Sequence, residues 1–254
     1  MGWDATQYSR FLDERTRPAR DLLAAVPLTD PAIIVDLGCG PGNSTGLLAE
    51  RYSEAEIQGI DSDPDMIAAA RSNLAACRFT EIPIEDWRPT RAPDLIFANA
   101  SLQWVGDHAS LFPQLLSLAA PGGVLAVQMP DNLDEPSHRA MRAVAADPRW
   151  AGRLHGAGER RKPLLSPQEI HALLRPLCSA VDVWKTTYHF ELGGTSAIVE
   201  WFKGSALRPY LELLAPSEQD EFLSAYQAEI RPAYPETAGR CLLAFPRHFF
   251  VARR

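Results

Sequence analysis

The segment VDLGCGPGNST, residues 35–45, places three glycines within five positions directly after an apolar run. A glycine-rich turn that leads from a strand into a helix offers a ligand backbone N–H groups and the partial positive charge of the helix N-terminus. Gly38, Gly40 and Gly42 have no side chains, so a ligand can approach their backbone closely. The segment therefore predicts a ligand-binding turn at the end of a strand.

A carboxylate follows this turn at a spacing typical of nucleoside-binding proteins. Asp61 closes the next apolar run, EIQGID, and lies about twenty residues beyond the glycines. One carboxylate at this place can accept hydrogen bonds from two adjacent ribose hydroxyls. Asp61 is therefore the predicted ribose ligand, and the neighbouring Ser62 is predicted to contact the same ligand.

The glycine spacing also limits which nucleoside is expected. A dinucleotide fingerprint requires the pattern G-x-G-x-x-G, whereas this turn reads G-C-G-P-G-N, with Asn43 at the third glycine position. Pyrophosphate binding and an NAD-dependent oxidoreductase are therefore disfavoured.

The turn resembles the first motif of class I S-adenosylmethionine-dependent methyltransferases, in which G-x-G-x-G follows a strand ending in Val/Ile-Asp-Leu. The resemblance implies a Rossmann-like fold and S-adenosylmethionine as cofactor. It also implies that Asn43 and the three glycines face the cofactor, whose ribose is held by Asp61. Two roles stay open for Asp36, which either orders the turn or faces the amino-acid part of the cofactor.

The predicted adenine contact departs from the pattern of that family. After the third strand the family usually carries Asp followed by an apolar residue, but TEIPIEDW has Pro83 where the Asp is expected. Ile84 is then the predicted apolar contact of the adenine. Glu85 and Asp86 are the candidates for the substitute polar group.

Longer segments narrow the resemblance to the trans-aconitate methyltransferases. It is carried by DLIFANASLQW (94–104), GGVLAVQMPDN (122–132), LLAFPRHFFVARR (242–254) and an N-terminal pattern of Trp3, Tyr8, Arg15, Arg17 and Pro18. It covers nearly the whole chain and is weakest over residues 146–165. It implies transfer of a methyl group from S-adenosylmethionine to a carboxylate of trans-aconitate, giving the monomethyl ester, with Asn99 and Trp104 contacting the cofactor.

The chemistry of that reaction predicts which residues are needed. A carboxylate has a reference pKa of about 4 and is ionised near neutral pH, so it attacks without a general base. We therefore expect positioning residues only, with no catalytic acid or base and no metal. A class I methyltransferase for another small oxygen or nitrogen nucleophile is the alternative, and a nucleoside-binding module without turnover is a more distant one. Asn99 is followed by Ala-Ser-Leu, which disfavours the exocyclic-amine methyltransferases.

A small polycarboxylate substrate requires cations, and arginine binds carboxylates best because its planar fork donates two parallel hydrogen bonds. The candidate cations are Arg15, Arg17, Lys203, Arg208 and Arg247. At least two of them are expected to converge on the site. The other predicted substrate contacts are Tyr8, Gln103, Trp104 and His189. Tyr8 and Trp104 could equally be core residues, and a structural role is open for His189.

The hydrophobic pattern predicts the elements that must position these residues. Apolar runs of strand length alternate with helical patterns from residue 32 to residue 129, which indicates a parallel sheet covered by helices. Late strands at 180–192 and 241–252 complete a seven-stranded, mostly parallel sheet with an antiparallel last strand. We expect one α/β domain with core 28–130, 179–193 and 240–254, a helical cap over 1–27 broken near Pro18, and helical insertions 131–178 and 195–238 that form a lid.

Composition excludes several other classes of protein. The net charge of -7 disfavours binding to a phosphate backbone, so nucleic acid is not an expected partner. The four cysteines have no metal-ligand spacing and are expected to be reduced thiols. No secretory h-region and no long apolar run is present in the sequence. These features predict a cytoplasmic protein, expected to be a monomer, with no membrane partner.

Overall fold

The computed structural model describes residues 12–254, together with their side chains except at residues 12–15, 159 and 160. Trp3 and Tyr8 therefore lie outside the described residues, as does the side chain of Arg15.

Strands and helices alternate through the first half of the chain, as the hydrophobic pattern predicts. The strands are β1 (Ile33–Leu37), β2 (Glu56–Asp61), β3 (Arg78–Glu81), β4 (Leu95–Asn99) and β5 (Val124–Pro130). The helices are α1 (Leu12–Ala24), α2 (Asn43–Arg51), α3 (Pro64–Asn73) and α4 (His108–Leu118), with a 3₁₀ helix at Leu102–Trp104.

The second half adds helices and two long strands. The helices are α5 (Pro136–Ala145), α6 (Ala151–Leu154), α7 (Pro167–Leu174), α8 (Gly194–Lys203), α9 (Arg208–Leu211) and α10 (Pro216–Ile230). Short 3₁₀ helices lie at Ala157–Arg160, Arg175–Leu177 and Arg231–Ala233. The strands are β6 (Ala180–Leu192) and β7 (Cys241–Arg253), at the places that the sequence predicts.

The seven strands form one sheet in the order β3-β2-β1-β4-β5-β7-β6. Strands β1 to β5 pair in parallel, and β7 pairs antiparallel to β5. The predicted seven-stranded, mostly parallel sheet with an antiparallel last strand is thus confirmed. Because β1 lies at the centre beside β4, the turns that follow these two strands meet at one edge of the sheet.

Residues two apart along the strands point to the same face of the sheet. One face carries a buried apolar cluster formed by Val35, Leu37, Ile96, Ala98, Leu125, Val127 and Phe250 of the strands, Leu111, Phe112 and Leu115 of α4, and Ile170 and Leu174 of α7. The opposite face carries Asp36, Phe97 and Gln128, and helix α1 packs against β5 and α2.

Helix α1 runs through Pro18, so the predicted break near that residue is wrong. A proline inside a helix removes one backbone hydrogen bond and costs about 3 kcal/mol. Leu22 and Leu23 after the proline are buried, and burial of each leucine contributes about 1.5–3 kcal/mol. The buried face of the helix therefore offsets the lost hydrogen bond.

The chain divides into two compact units. The first comprises the chain up to Pro130 with Leu164–Thr186 and Arg247–Arg254, and the second comprises Asp131–Pro163 and Thr187–Pro246. These bounds differ from the predicted insertions because Leu164–Thr186, which contains α7, belongs to the first unit. Its Ile170 and Leu174 pack into the sheet's apolar cluster, which explains the difference.

The second unit has its own aromatic core. Helix α10 packs against α5 and α8. The ring of Trp201 lies 5.2 Å from that of Phe190 and 5.8 Å from that of Phe245. Among residues 12–254, no helix combines the length and the apolar character needed to cross a membrane.

Candidate active site

The glycine turn connects β1 to α2 and has the backbone conformation that its glycines permit. Gly38 and Gly40 have φ angles of 69° and 54°, in the left-handed region. A Cβ atom at Gly38 would lie 2.3 Å from the Cβ atom of Ser101, so the turn after β4 requires a glycine there. A Cβ atom at Gly40 would meet nothing within 4 Å, so the turn is open at this residue. Space for a ligand is therefore available beside Gly40.

Asn43, Ser44 and Thr45 at the start of α2 are residue types that commonly cap helices, but none of them is the N-cap. The N-cap is Gly42, with no side-chain hydrogen bond. The hydroxyl groups of Ser44 and Thr45 each donate to Oδ2 of Asp36 at 2.7 Å. A buried carboxylate needs hydrogen-bond donors, and these bonds are stronger than neutral ones, so the hydroxyls point to the strand instead of to the helix end.

Asp36 is fully buried, and its two oxygens differ. Oδ2 accepts the two hydroxyl hydrogen bonds, whereas Oδ1 has no partner among the described residues. Burial raises the pKa of Asp36 to about 6, although the bonds from Ser44 and Thr45 lower it, and the nearby Asp61 raises it further. The two hydrogen bonds support the turn-ordering role, and contact of Oδ1 with a ligand stays a prediction.

Asp61 ends β2 beside the open side of the glycine turn. Its Oδ2 accepts from the N–H of Gly40 at 2.9 Å, and its Oδ1 accepts from the N–H of Asp63 at 3.0 Å. Each carboxylate oxygen can accept a second hydrogen bond. The carboxylate is therefore held in place by backbone donors and keeps capacity for two ribose hydroxyls, while Ser62 next to it is exposed.

The segment after β3 forms a tight turn. The carbonyl group of Pro83 accepts from the N–H groups of Asp86 and Trp87, both at 3.1 Å. Ile84 is half-buried, and its Cδ1 atom is 3.6 Å from the Cβ position at Gly38. Glu85 and Asp86 are exposed. Ile84 thus lies against the glycine turn, and its contact with adenine stays a prediction.

The turn after β4 is tied to the end of β1. The hydroxyl of Ser101 donates to the carbonyl of Leu37 at 2.6 Å, and Nε2 of Gln103 donates to the carbonyl of Ala100 at 2.6 Å. Within the described chain, Oδ1 of Asn99 and Oε1 of Gln103 are buried without a hydrogen-bond partner. These two acceptors lie at the edge of the sheet where a ligand is expected.

Trp104 and His189 are the aromatic candidates whose surroundings the structure describes. Trp104 is 42% exposed, which rules out its role as a core residue. His189 is also exposed and lies in the part of β6 that belongs to the second unit. A role in ligand binding stays a prediction for both residues.

Two candidate cations form ion pairs on their own helices. Nζ of Lys203 lies 3.0 Å from Oε1 of Glu200 in α8, and Nε of Arg208 lies 2.7 Å from Oε1 of Glu212 at the end of α9. Both pairs belong to the second unit. Arg17 lies exposed on α1 in the first unit. The expected convergence of two cations on the substrate stays a prediction.

Arg247 differs from these cations because it is buried, with 4% of its surface exposed. Its Nη1 donates to Oε1 of Gln128 at 3.2 Å. Sequence reasoning included Arg247 among the cations but missed Gln128. A glutamine inside the apolar run GGVLAVQM of a central strand was the available signal.

The turn contains one thiol, that of Cys39, and this thiol is not reactive as a nucleophile. Cys39 is buried, and its burial raises the pKa of the thiol, as do the nearby Asp36 and Asp61 carboxylates. A thiol that is not ionised is a weak nucleophile. The groups that the turn can offer a ligand are therefore its backbone N–H groups and its carboxylates, and not the thiol.

Known proteins resemble this chain in sequence and in fold. Residues 8–175 match a family model described as a methyltransferase domain. The chain is 54% identical over 253 residues to trans-aconitate 2-methyltransferase of Methylobacterium nodulans, covering 99% of this chain and 98% of that protein. It is 53% identical over 251 residues to trans-aconitate 2-methyltransferase of Yersinia pestis (strain Pestoides F), covering 98% and 97%.

Solved structures share the fold at low sequence identity. The YcgJ protein of Bacillus subtilis has a TM-score of 0.61 at 12% identity, covering 95% of this chain and 98% of that one. A second structure, of a protein from Bacillus halodurans C-125, has a TM-score of 0.61 at 11% identity, covering 93% of this chain and 98% of that one.

The strand order and the glycine turn define the class I methyltransferase fold. Within that class, the chain belongs to the trans-aconitate 2-methyltransferase family, because it shares more than half of its residues with members over nearly its whole length.

Proposed function

We propose that this protein transfers the methyl group of S-adenosylmethionine to a carboxylate of trans-aconitate and forms the monomethyl ester. The observation that carries the proposal is the 54% identity over 99% of the chain with a trans-aconitate 2-methyltransferase. The geometry of the glycine turn is compatible with it, because the turn combines an open backbone with a fixed carboxylate.

The residues at the turn fit S-adenosylmethionine, which supplies an electrophilic methyl group when bound. Gly40 leaves space for the ligand, and Asp61 holds the ribose through its unused lone pairs. Ile84 packs on the adenine, and Asn99 offers a buried acceptor that the described protein leaves unpaired. Gly38, Gly42, Asn43, Ser62, Glu85 and Trp104 complete the proposed cofactor contacts.

The reaction joins a carboxylate oxygen to the methyl carbon while the methyl–sulfur bond breaks and its electron pair stays on sulfur. No proton is transferred, so the protein needs no general base. Its residues hold the substrate in line with the methyl group, and such orientation can lower a barrier by about 7–11 kcal/mol. Exclusion of water further favours the reaction because opposite charges are neutralised in the transition state.

Charge and composition support the proposed partner and cellular location. We propose that the partner is a small polycarboxylate and that nucleic acid is not bound, since the net charge is -7. We also propose that the protein acts as a monomer in the cytoplasm. The roles of Tyr8, Arg15, Arg17, Gln103, His189, Lys203 and Arg208 in substrate binding belong to the same proposal.

The test is methyl transfer from labelled S-adenosylmethionine to trans-aconitate, with cis-aconitate, isocitrate and citrate in parallel, from pH 5 to pH 9. We expect a base-labile methyl ester, formed preferentially from trans-aconitate. Its rate should be nearly constant above about pH 6, because the attacking carboxylate is already ionised. Tight cofactor binding without transfer to any polycarboxylate would instead favour the alternative, a methyltransferase for another small nucleophile.

A further inference from the structure

Polar side chains line one face of the sheet near the carboxyl ends of β4 and β5. In the strand register Asn99 of β4 pairs with Gln128 of β5, and Pro130 of β5 pairs with Arg247 of β7. Paired residues, and residues two apart, point to the same face. Asn99, Gln128 and Arg247 therefore share the face opposite the apolar cluster of α4 and α7, within the first unit.

This arrangement buries the guanidinium group of Arg247 beside the amide group of Gln128. Arg247 is 4% exposed and Gln128 is fully buried. Arginine has only donors, so the glutamine atom 3.2 Å from its Nη1 is the amide oxygen, Oε1. The amide nitrogen of Gln128, Nε2, is then left as a donor, and it has no partner among the described residues.

Burial of an amide group without a hydrogen bond is unfavourable unless a ligand supplies the partner. The guanidinium group and Nε2 of Gln128 are neighbouring donors, and a carboxylate is the acceptor that matches them because its two oxygens accept both. We propose that Arg247 and Gln128 bind one carboxylate of the substrate, an inference that rests on the proposed function.

The bound carboxylate is one that does not react. Hydrogen bonds from a guanidinium group withdraw electron density from a carboxylate and make it a weaker nucleophile. Neighbouring strands lie about 4.8 Å apart, so β7 is roughly 10 Å from β4, whose end lies beside the glycine turn. A tricarboxylate held at Arg247 can therefore direct another of its carboxylates toward the cofactor.

The test compares Arg247→Lys, Arg247→Gln and Gln128→Leu with the wild type. We expect each substitution to raise the KM for trans-aconitate at least tenfold and to leave the dissociation constant of S-adenosylmethionine unchanged. Arg247→Lys keeps the charge but loses the planar fork, so it should not restore the KM. Arg78→Gln, a substitution of an exposed strand arginine, serves as the matched control and should change neither constant.

Substrate analogues separate a binding role from a structural one. Mesaconate, glutaconate and itaconate each lack a different one of the three carboxylates of trans-aconitate, and each can be measured as a substrate or as a competitive inhibitor. If Arg247 binds one particular carboxylate, substitution should weaken the analogue that lacks this carboxylate much less than the other two. Equal weakening of trans-aconitate and all three analogues would overturn the inference and indicate a structural role.

The same experiment distinguishes the inference from the proposed function. Unchanged KM values in all three variants, with an active wild-type enzyme, would overturn the inference and leave the function standing. A wild-type protein that binds S-adenosylmethionine but methylates no polycarboxylate would overturn both. If Arg247→Gln fails to fold, Gln128→Leu carries the test, because it removes the second donor and keeps the charge.

Discussion

The carboxylates of Asp36 and Asp61 end neighbouring strands, yet their surroundings differ. Asp36 is fully buried under two hydroxyl groups, whereas Asp61 is half-exposed and held by backbone N–H groups. Asp61 can therefore exchange hydrogen bonds with a ligand at the surface, while Asp36 mainly fixes the start of α2. The same residue type is thus held by side-chain hydroxyl groups in one strand and by backbone N–H groups in the next.

Substitution of Asp61 tests the ribose assignment. Asp61→Ala should weaken S-adenosylmethionine binding by at least tenfold, because hydrogen bonds to a charged group contribute about 1.5–3 kcal/mol each. Isothermal titration calorimetry measures the effect. Glu81→Ala is the matched control, since Glu81 pairs with Asp61 in the register of β3 and is exposed. Unchanged affinity in Asp61→Ala would defeat the assignment.

Substitution of Asp36 tests its ionisation through the pH dependence of stability. The pKa of Asp36 is raised from 3.8 to about 6, so the folded state binds the proton more tightly than the unfolded state does. The contribution of protonated Asp36 to the free energy of unfolding is fully present below pH 3.8 and is lost as pH rises to about 6. This loss amounts to about 3 kcal/mol. Relative to wild type, Asp36→Asn should therefore gain stability between pH 4 and pH 7. Urea unfolding without ligand measures this gain, and a constant difference between the two proteins would contradict the assignment.

Among the elements, α1 carries Arg17, one of the candidate cations for the substrate. It packs against β5 and against α2, the helix that begins at the glycine turn. Its Pro18 was expected to break it, but the buried residues that follow keep it continuous. The helix therefore presents its exposed arginines from a fixed scaffold in the first unit.

Arg17 on this helix is predicted to attract the substrate. Arg17→Gln should raise the KM for trans-aconitate several-fold more than the KM for S-adenosylmethionine, because the substrate carries the negative charge. Steady-state kinetics with each substrate varied measures the two constants. Arg20→Gln, three residues further along the same helix and also exposed, is the control. Equal increases in both KM values would indicate a structural role for Arg17, and the same test applies to Arg15.

The elements were predictable from the sequence because buried parallel strands read as continuous apolar runs. The glycine turn and Asp61 were predictable because their spacing is local to one strand-turn-helix unit. The hydrogen-bond acceptor of the Ser44 and Thr45 hydroxyls could not be predicted, because helix capping and a hydrogen bond to Asp36 are equally compatible with the local sequence. The pair of Arg247 and Gln128 joins strands separated by more than one hundred residues, and no local pattern specifies it.

On the scale of the whole molecule, the stability of the protein should fall in acid through His138. This residue is buried in the second unit, and its ring packs edge-on against Phe202 at 5.1 Å. Burial, with Arg161 and Arg142 nearby, lowers the pKa of His138 from 6.5 to about 3. Between these two pH values the unfolded state binds a proton at His138 and the folded state does not. The contribution of His138 to the free energy of unfolding is therefore fully present above pH 6.5 and declines as pH falls toward 3.

The measurement is the free energy of unfolding from pH 7 to pH 4 for wild type and His138→Gln. The wild type should lose more stability over this range, by about 3 kcal/mol. His189→Gln, which changes an exposed histidine of the same unit, should follow the wild type. Parallel curves for wild type and His138→Gln would show that His138 is protonated alike in both states.

The strand order also has a consequence for biosynthesis. β7 lies between β5 and β6 in the sheet, although it follows both of them in the chain. Until residues 241–253 leave the ribosome, β5 has an unpaired edge and β6 lacks its neighbour, and unpaired strand edges favour aggregation. The nascent chain should therefore expose the edge of β5 until β7 pairs with it, and that pairing also brings Arg247 beside Gln128.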